Sequence, residues 1–203
     1  MRRLKRFAKA KWHDWASRSY PYAYRPIFPL SDWKVNDVGF LEGQEYNGVD
    51  WGRHLGEDYV VVPGTPVYAI DKGSVVHSAL HATPYPPEAE GKQGSNWGNI
   101  IIIAHKNPRT KKAFFSVYGH LGECLVRKGE MVAQGKLIGT VAEGWTMQNG
   151  WWKISHLHFA IYTGPWIGVV LPGAHRGDAN DRTRLEDWEN PTAFIERYNA
   201  GLL

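Results

Sequence analysis

From Tyr59 onward the chain is written in short β-branched and aromatic runs separated by Gly, Pro or Lys-Gly. The first three are 59–62 (YVVV), 66–70 (PVYAI) and 74–79 (SVVHSA), followed by 99–105 (NIIIIAH), 112–121 (KAFFSVYGHL), 129–141 (GEMVAQGKLIGTV) and 154–162 (ISHLHFAIY). Strand-length runs recurring every 8 to 15 residues or so, with turn residues between them, predict an antiparallel, all-β core. Helical spacing occurs only at the ends. Pro191 suits a first helical turn, and Phe194, Ile195 and Tyr198 follow on one face, which predicts a short C-terminal helix. Leu4, Phe7 and Ala8 recur at i, i+3 and i+4 and are compatible with a short basic helix. The chain divides accordingly into a basic arm (1–20), an irregular lead-in rich in Pro, Gly, Asn and Tyr (21–50), a β body (51–190) and the C-terminal helix packed on it (191–203).

Two long polar segments interrupt the β pattern, at 77–98 and 142–155, and they carry Trp97, Trp145, Trp151 and Trp152. Loops of such length in a compact domain are usually functional or disordered, and tryptophans argue against disorder. Two further segments, 64–76 and 128–141, read as Gly-hinged strand pairs. The second resembles the bent hairpin of biotinyl and lipoyl carrier domains, but no Met-Lys-Met stands in its turn, so a structural hairpin is the reading adopted.

Composition narrows the chemistry. With 203 residues the chain can bury a substantial core, and its 10 Trp, 10 Tyr and 7 Phe exclude a disordered polymer. The net charge of +4 is concentrated: the first eleven residues hold six basic groups and no acid, leaving 18 basic against 20 acidic groups in the rest. The basic balance therefore belongs to the arm, and a nucleic-acid partner is not expected from the body. The longest aliphatic run is 100–104, too short to span a bilayer as a helix. Residues 7–20 lack the apolar stretch of a secretory leader, so no export signal is visible. The single cysteine, Cys124, excludes an internal disulfide and a cysteine-based zinc centre. Any bound metal must then use His and carboxylate ligands.

Three short motifs concentrate the candidates. His54-Leu-Gly-Glu-Asp58 sets an imidazole and a carboxylate four apart, with Gly56 permitting a bend. His156-Leu157-His158-Phe159 lies in a strand, where i and i+2 share a face, so both imidazoles point to one side and Leu157 and Phe159 to the other. Tyr118-Gly119-His120-Leu121 ends a strand with a further imidazole. Imidazole and carboxylate suit zinc, which in catalytic sites takes three protein ligands and keeps one position open. Four histidines exceed that need by one or more, and the surplus suits a general base and a transition-state hydrogen-bond donor. Each motif alone is weak; their conjunction around strands of one domain is not. His105 reads as a strand-end residue, and His13, His77, His81 and His175 have no partner motif.

Taken together, these residues resemble the zinc metallopeptidases of the lysostaphin and LytM type, peptidase family M23. The resemblance runs from about Trp51 to Ile161 and includes His54-x-Gly-x-Asp58, Gly64-Thr-Pro-Val-Tyr-Ala69, Gly98-Asn99, Tyr118-x-His120-Leu121 and His156-x-His158. It implies a two-sheet antiparallel fold of the LytM, or duplicated hybrid-motif, type with long groove-forming loops. It also implies one zinc ion held by His54, Asp58 and His158. His120 and His156 would act on the metal-bound water and the tetrahedral intermediate, and the substrate would be a peptide bond of peptidoglycan, in the stem or the cross-bridge. Substrate contacts are expected from Trp97, Asn99, Tyr118, Trp145, Trp151 and Trp152, and action outside the cytoplasm follows from the substrate class. The chain is taken as a monomer by default.

Two other classes use similar residues. One is a metal-free relative serving as scaffold or as activator of another wall hydrolase, which would be expected to lose ligands. The other is a phosphohistidine carrier, which would need two facing histidines but not Asp58. Stoichiometric zinc separates the peptidase from both.

Overall fold

The computed structural model describes residues 25–46, 49–82, 97–178, 181 and 183–202; the basic arm and its expected helix lie outside them. Ten strands enter the order of the body: β1 (Gly43–Tyr46), β2 (Val49–His54), β3 (Glu57–Val60), β4 (Pro66–Tyr68), β5 (Gly73–His81), β6 (Gly98–Lys106), β7 (Ala113–Cys124), β8 (Met131–Val132), β9 (Leu137–Val141) and β10 (His156–Tyr162). Among the described residues, two short strands, β11 (Ala174–His175) and β12 (Trp188–Glu189), a 3-10 turn (Leu185–Asp187) and the helix α1 (Pro191–Asn199) complete it. β12-β10-β7-β6-β5-β8 forms the backbone of a nine-stranded antiparallel sheet to which β3, β4 and β9 attach, and β1-β2-β11 forms a second, three-stranded sheet.

The continuous isoleucine run of β6 has a physical reason. Ile101 and Ile103 enter one core with Leu157, Phe159 and Ile161, while Ile100, Ile102 and Ala104 enter a second core on the opposite face. A strand covered on both sides shows no polar alternation. α1 closes the first face through Phe194, Ile195 and Tyr198. The segment after β10 closes the second through Trp166, Val170, Leu171 and Trp188. Asn190 caps α1 by accepting the Ala193 N–H. Buried Glu57 then ties that end to β3, accepting from Thr192 N, Thr192 Oγ1 and Asn190 Nδ2 at 3.0, 2.7 and 2.9 Å.

Three expectations change. The lead-in is not irregular throughout, because residues 43–46 and 49–50 belong to the paired strands β1 and β2. Their sequence lacks apolar alternation, and the other pairing partner of β2, β11, comes from the far end of the chain. The segment 77–98 is partly strand: a bulge between Val75 and His77 shifts the alternation, and residues 77–81 still pair with β6. The two Gly-hinged segments pair with each other, β4 with β9 and β5 with β8, rather than each closing on itself.

Candidate active site

β10 lies between β3 and β7, with His158 directly opposite Asp58 on one side and Gly119 on the other. His54 ends β2, and the tight passage through Leu55 and Gly56 returns the chain into β3 at Asp58. The two sheets thereby bring three donor atoms together. His54 Nε2 is 2.8 Å from His158 Nδ1 and 3.3 Å from Asp58 Oδ1, and His158 Nδ1 is 3.0 Å from that same oxygen. All three side chains are buried. His54 Nδ1 lies 3.2 Å from Gly39 O and donates to it, which leaves the Nε2 lone pair facing the cluster. Three electron-pair donors converging this closely fit a small divalent cation, and the His, Asp, His set is the donor chemistry of zinc.

Gly56 does more than permit a bend. A Cβ there would stand 2.7 Å from His158 Cε1, His158 Nε2 and Phe159 O. The missing side chain is the space that the His158 ring occupies.

Charge follows the geometry. Burial alone would raise the Asp58 pKa, yet the charge of His54 and the hydrogen bonds from His158 and His54 outweigh it and hold the carboxyl well below its ordinary value. Burial would lower the His54 pKa, and Asp58 more than reverses that. Burial pushes His158 down to about 4 despite its hydrogen bond to Asp58. An ionised Asp58 and a neutral His158 are the forms a metal requires.

Beside this trio stand His120 and His156, their ring centroids 4.4 Å apart. His120 Nδ1 is 3.1 Å from Asn149 O and His156 Nδ1 is 2.9 Å from Ile154 O. Both Nδ1–H groups are thus spent on backbone carbonyls, and each ring keeps Nε2 as a free acceptor. Burial and the neighbouring His156 and His158 depress the His120 pKa well below its usual value. His120 has φ 60, a left-handed conformation uncommon outside glycine, and it lies within the register shift between β6 and β7, between Tyr118 and Leu121. This bulge aims its ring into the site.

A cavity of about 540 Å³ opens over both groups, lined by His54, Asp58, His120, His156 and His158 and walled by Trp51, Trp97 and Trp152. Trp97 stacks on His120 at 6.2 Å and meets His158 edge-on at 5.0 Å. A Cβ on Gly119 would lie 2.9 Å from that indole, so the Gly of Tyr118-Gly119-His120 makes room for the wall. Trp152 meets His120 and His156 edge-on from another side and adjoins Trp51.

Of the six expected substrate contacts, the fold brings Trp97 and Trp152 to the cavity. Tyr118 is fully buried in the core, where its hydroxyl accepts the Ile70 N–H at 3.1 Å. Asn99 Nδ2 donates to Gly122 O, and the side chain does not line the cavity. Trp145 is 52% exposed and Trp151 half-buried, and neither lines it. The sequence reading missed Asn149, a fully buried side chain that donates to Trp152 O and Ile154 O and so shapes the loop under His120. It also missed Gly39, Asp37, Glu45 and Arg176. His105 is no ligand: buried, it bonds Lys72 O and Ser116 Oγ. His77 and His81 meet each other, with Nε2 atoms 2.8 Å apart.

Comparison with known proteins agrees with this arrangement. Peptidoglycan DD-endopeptidase ShyC of Vibrio cholerae serotype O1 is 34% identical over 155 residues, covering 72% of this chain and 30% of its own. Lysostaphin from Staphylococcus simulans superposes with a TM-score of 0.54 at 21% identity, covering 89% of this chain and 57% of that one, a likeness of fold. A zinc-containing peptidase from Vibrio cholerae superposes at 0.50 with 25% identity, covering 69% of this chain and 36% of that one. The chain thus spans less than two thirds of the length of these relatives. The family model for peptidase family M23 matches residues 52–166, more than half of the chain and all five clustered residues, and the chain belongs to that family.

Proposed function

We propose that this protein is a zinc-dependent endopeptidase that hydrolyses peptide bonds of bacterial peptidoglycan, acting outside the cytoplasm. The observation that carries the reading is the convergence of His54 Nε2, Asp58 Oδ1 and His158 Nδ1 beside the His120–His156 pair, at the base of a tryptophan-walled cavity. Zinc bound there supplies Lewis acidity, polarising a scissile carbonyl and acidifying a water.

The remaining chemistry belongs to the protein. His120 and His156, each anchored through Nδ1, offer Nε2 as acceptors toward the cavity. One can take the proton of the attacking water, and the resulting imidazolium can deliver it to the leaving amine. The other, once protonated, can hydrogen-bond the oxygen on which negative charge develops. Trp97 and Trp152 pack against the pair and would give the peptide apolar walls. No helix among the described residues is long and apolar enough to cross a membrane.

The test is release of soluble fragments from purified peptidoglycan, abolished by EDTA and restored by zinc. His54→Ala and His158→Ala should lose both metal and activity, whereas His120→Ala and His156→Ala should retain metal and lose activity. Wild-type protein that carries no stoichiometric zinc and still supports lysis only through another hydrolase would refute the proposal in favour of an activator.

A further inference from the structure

The cavity wall holds a cation that the hydrolytic chemistry does not use. Arg176 follows β11 and lines the cavity, with its guanidinium carbon 5.0 Å from the centre of the Trp51 ring. Its backbone is fixed from three directions. β11 pairs with β2 in the register Ala174–His54 and His175–Arg53. That approach depends on Gly52, whose Cβ would come within 2.0 Å of His175 O. The Asp181 carboxylate accepts the N–H groups of Arg176 and Gly177 at 2.6 and 3.1 Å, and its Oδ2 lies 2.8 Å from His175 Nδ1.

Arg176 is exposed, but its backbone is anchored and its guanidinium lies over an indole, an arrangement that reduces the freedom lost when it binds an anion. No carboxylate among the described residues lies within ion-pair distance of it, whereas Arg184 and Arg197 have Glu186 and Glu189. The same cavity is lined by the acids Asp37, Glu45 and Asp58 and by a second cation, Lys153, which has no aromatic seat among the described residues. Trp51 adjoins Trp152, which in turn touches His156 and His120. That path places Arg176 no more than about five extended residues of peptide from the reacting bond.

We propose that Arg176 is a carboxylate-binding subsite, so that the preferred substrates are peptidoglycan stem peptides bearing a free carboxylate near the scissile bond rather than uncharged glycine bridges. Asp181 is its positioning residue. The inference rests on the endopeptidase reading and names the substrate class of that site. A glycine bridge offers the guanidinium nothing to pair with; a stem peptide offers the α-carboxylates of its acidic residues and terminal alanine, in the geometry a guanidinium binds bidentately.

Two measurements on the full zinc-loaded chain test it. In the first, kcat/KM is determined on a cross-linked stem-peptide dimer with free carboxylates and on the same dimer amidated. Wild type should favour the carboxylate form by about 10- to 100-fold, as for a lost charge-assisted hydrogen bond. Arg176→Gln should erase that preference, chiefly through KM, and Asp181→Asn should reduce it. Equal loss on both forms, or an unchanged preference, would overturn the subsite. In the second, tryptophan fluorescence follows titration with uncross-linked stem peptide, carboxylate against amide, which needs no turnover. A protein that hydrolyses neither dimer yet binds the carboxylate form through Arg176 would refute the endopeptidase reading and keep the subsite. Binding that ignores both the carboxylate and Arg176→Gln would refute the subsite alone.

Discussion

Gly56→Ala isolates the packing of a proposed metal ligand, His158, from its identity. Gly56 is not among the residues with left-handed backbone, so an alanine there is not strained by its dihedrals, and its effect acts through space. The new methyl would sit 2.7 Å from two atoms of the His158 ring and from Phe159 O, against the roughly 3.5–4.0 Å of relaxed contact. The carbonyl cannot yield, because Phe159 is paired with Glu57 on one side and Tyr118 on the other. The ring must therefore shift by on the order of 1 Å, and Nδ1, bonded to the displaced Cε1, moves with it. Metal–ligand distances tolerate about 0.2 Å. Zinc affinity should fall at least 10- to 100-fold, the loss seen when ligand support is removed. Overpacking should cost the metal-free protein roughly 1–3 kcal/mol, outweighing the gain of up to about 1 kcal/mol that alanine gives by stiffening the unfolded chain. Zinc affinity is read by competition with a chromogenic chelator, and stability by thermal unfolding of the apo form. Wild-type affinity together with an unchanged apo Tm would refute the clearance argument, whereas loss of affinity with intact stability would place the effect on the ring alone.

Two further perturbations separate scaffold from site. Tyr118→Phe leaves the Ile70 N–H without its acceptor in the core, which should cost about 1–2 kcal/mol, a fall of roughly 2–8 °C in Tm for a chain of this size, with kcat/KM of the zinc-loaded enzyme preserved; selective loss of activity at unchanged stability would put Tyr118 at the substrate after all. His105 is held neutral, its pKa lowered to about 4 by burial, so the unfolded chain takes up a proton that the native state refuses as pH falls below 6.5. Its contribution is therefore fully present above pH 6.5 and is lost between 6.5 and 4, up to about 3 kcal/mol. Denaturant titrations across that window should show wild type losing stability more steeply than His105→Gln by about one proton's worth of slope, and equal slopes would refute the assignment.

What the sequence could and could not show follows from the range of each interaction. The candidate residues stood out because His-x-Gly-x-Asp and His-x-His are local motifs, and within a strand the period of two puts His156 and His158 on one face; that β10 sets His158 opposite Asp58 and Gly119, beside His120, follows from strand pairing. The β body was legible for the same reason. The groove was not. Tyr118 and His120 stand two apart in β7 and by simple alternation would share a face, yet one is sealed in the core and the other aims into the cavity. The difference is the bulge and the left-handed backbone at His120, which alternation does not encode. Trp151 and Trp152 are adjacent, and only the second reaches the cavity, because Asn149 fixes the loop by bonding Trp152 O and Ile154 O. Arg176 lies over a hundred positions from Trp51 in sequence and meets it only through the pairing of β11 with β2. The candidate chemistry is thus written in motifs a few residues long, while the shape of the cavity above it is written in long-range pairings. Substrate preference should accordingly respond to changes at Gly52 or Asp181 that leave the motifs intact.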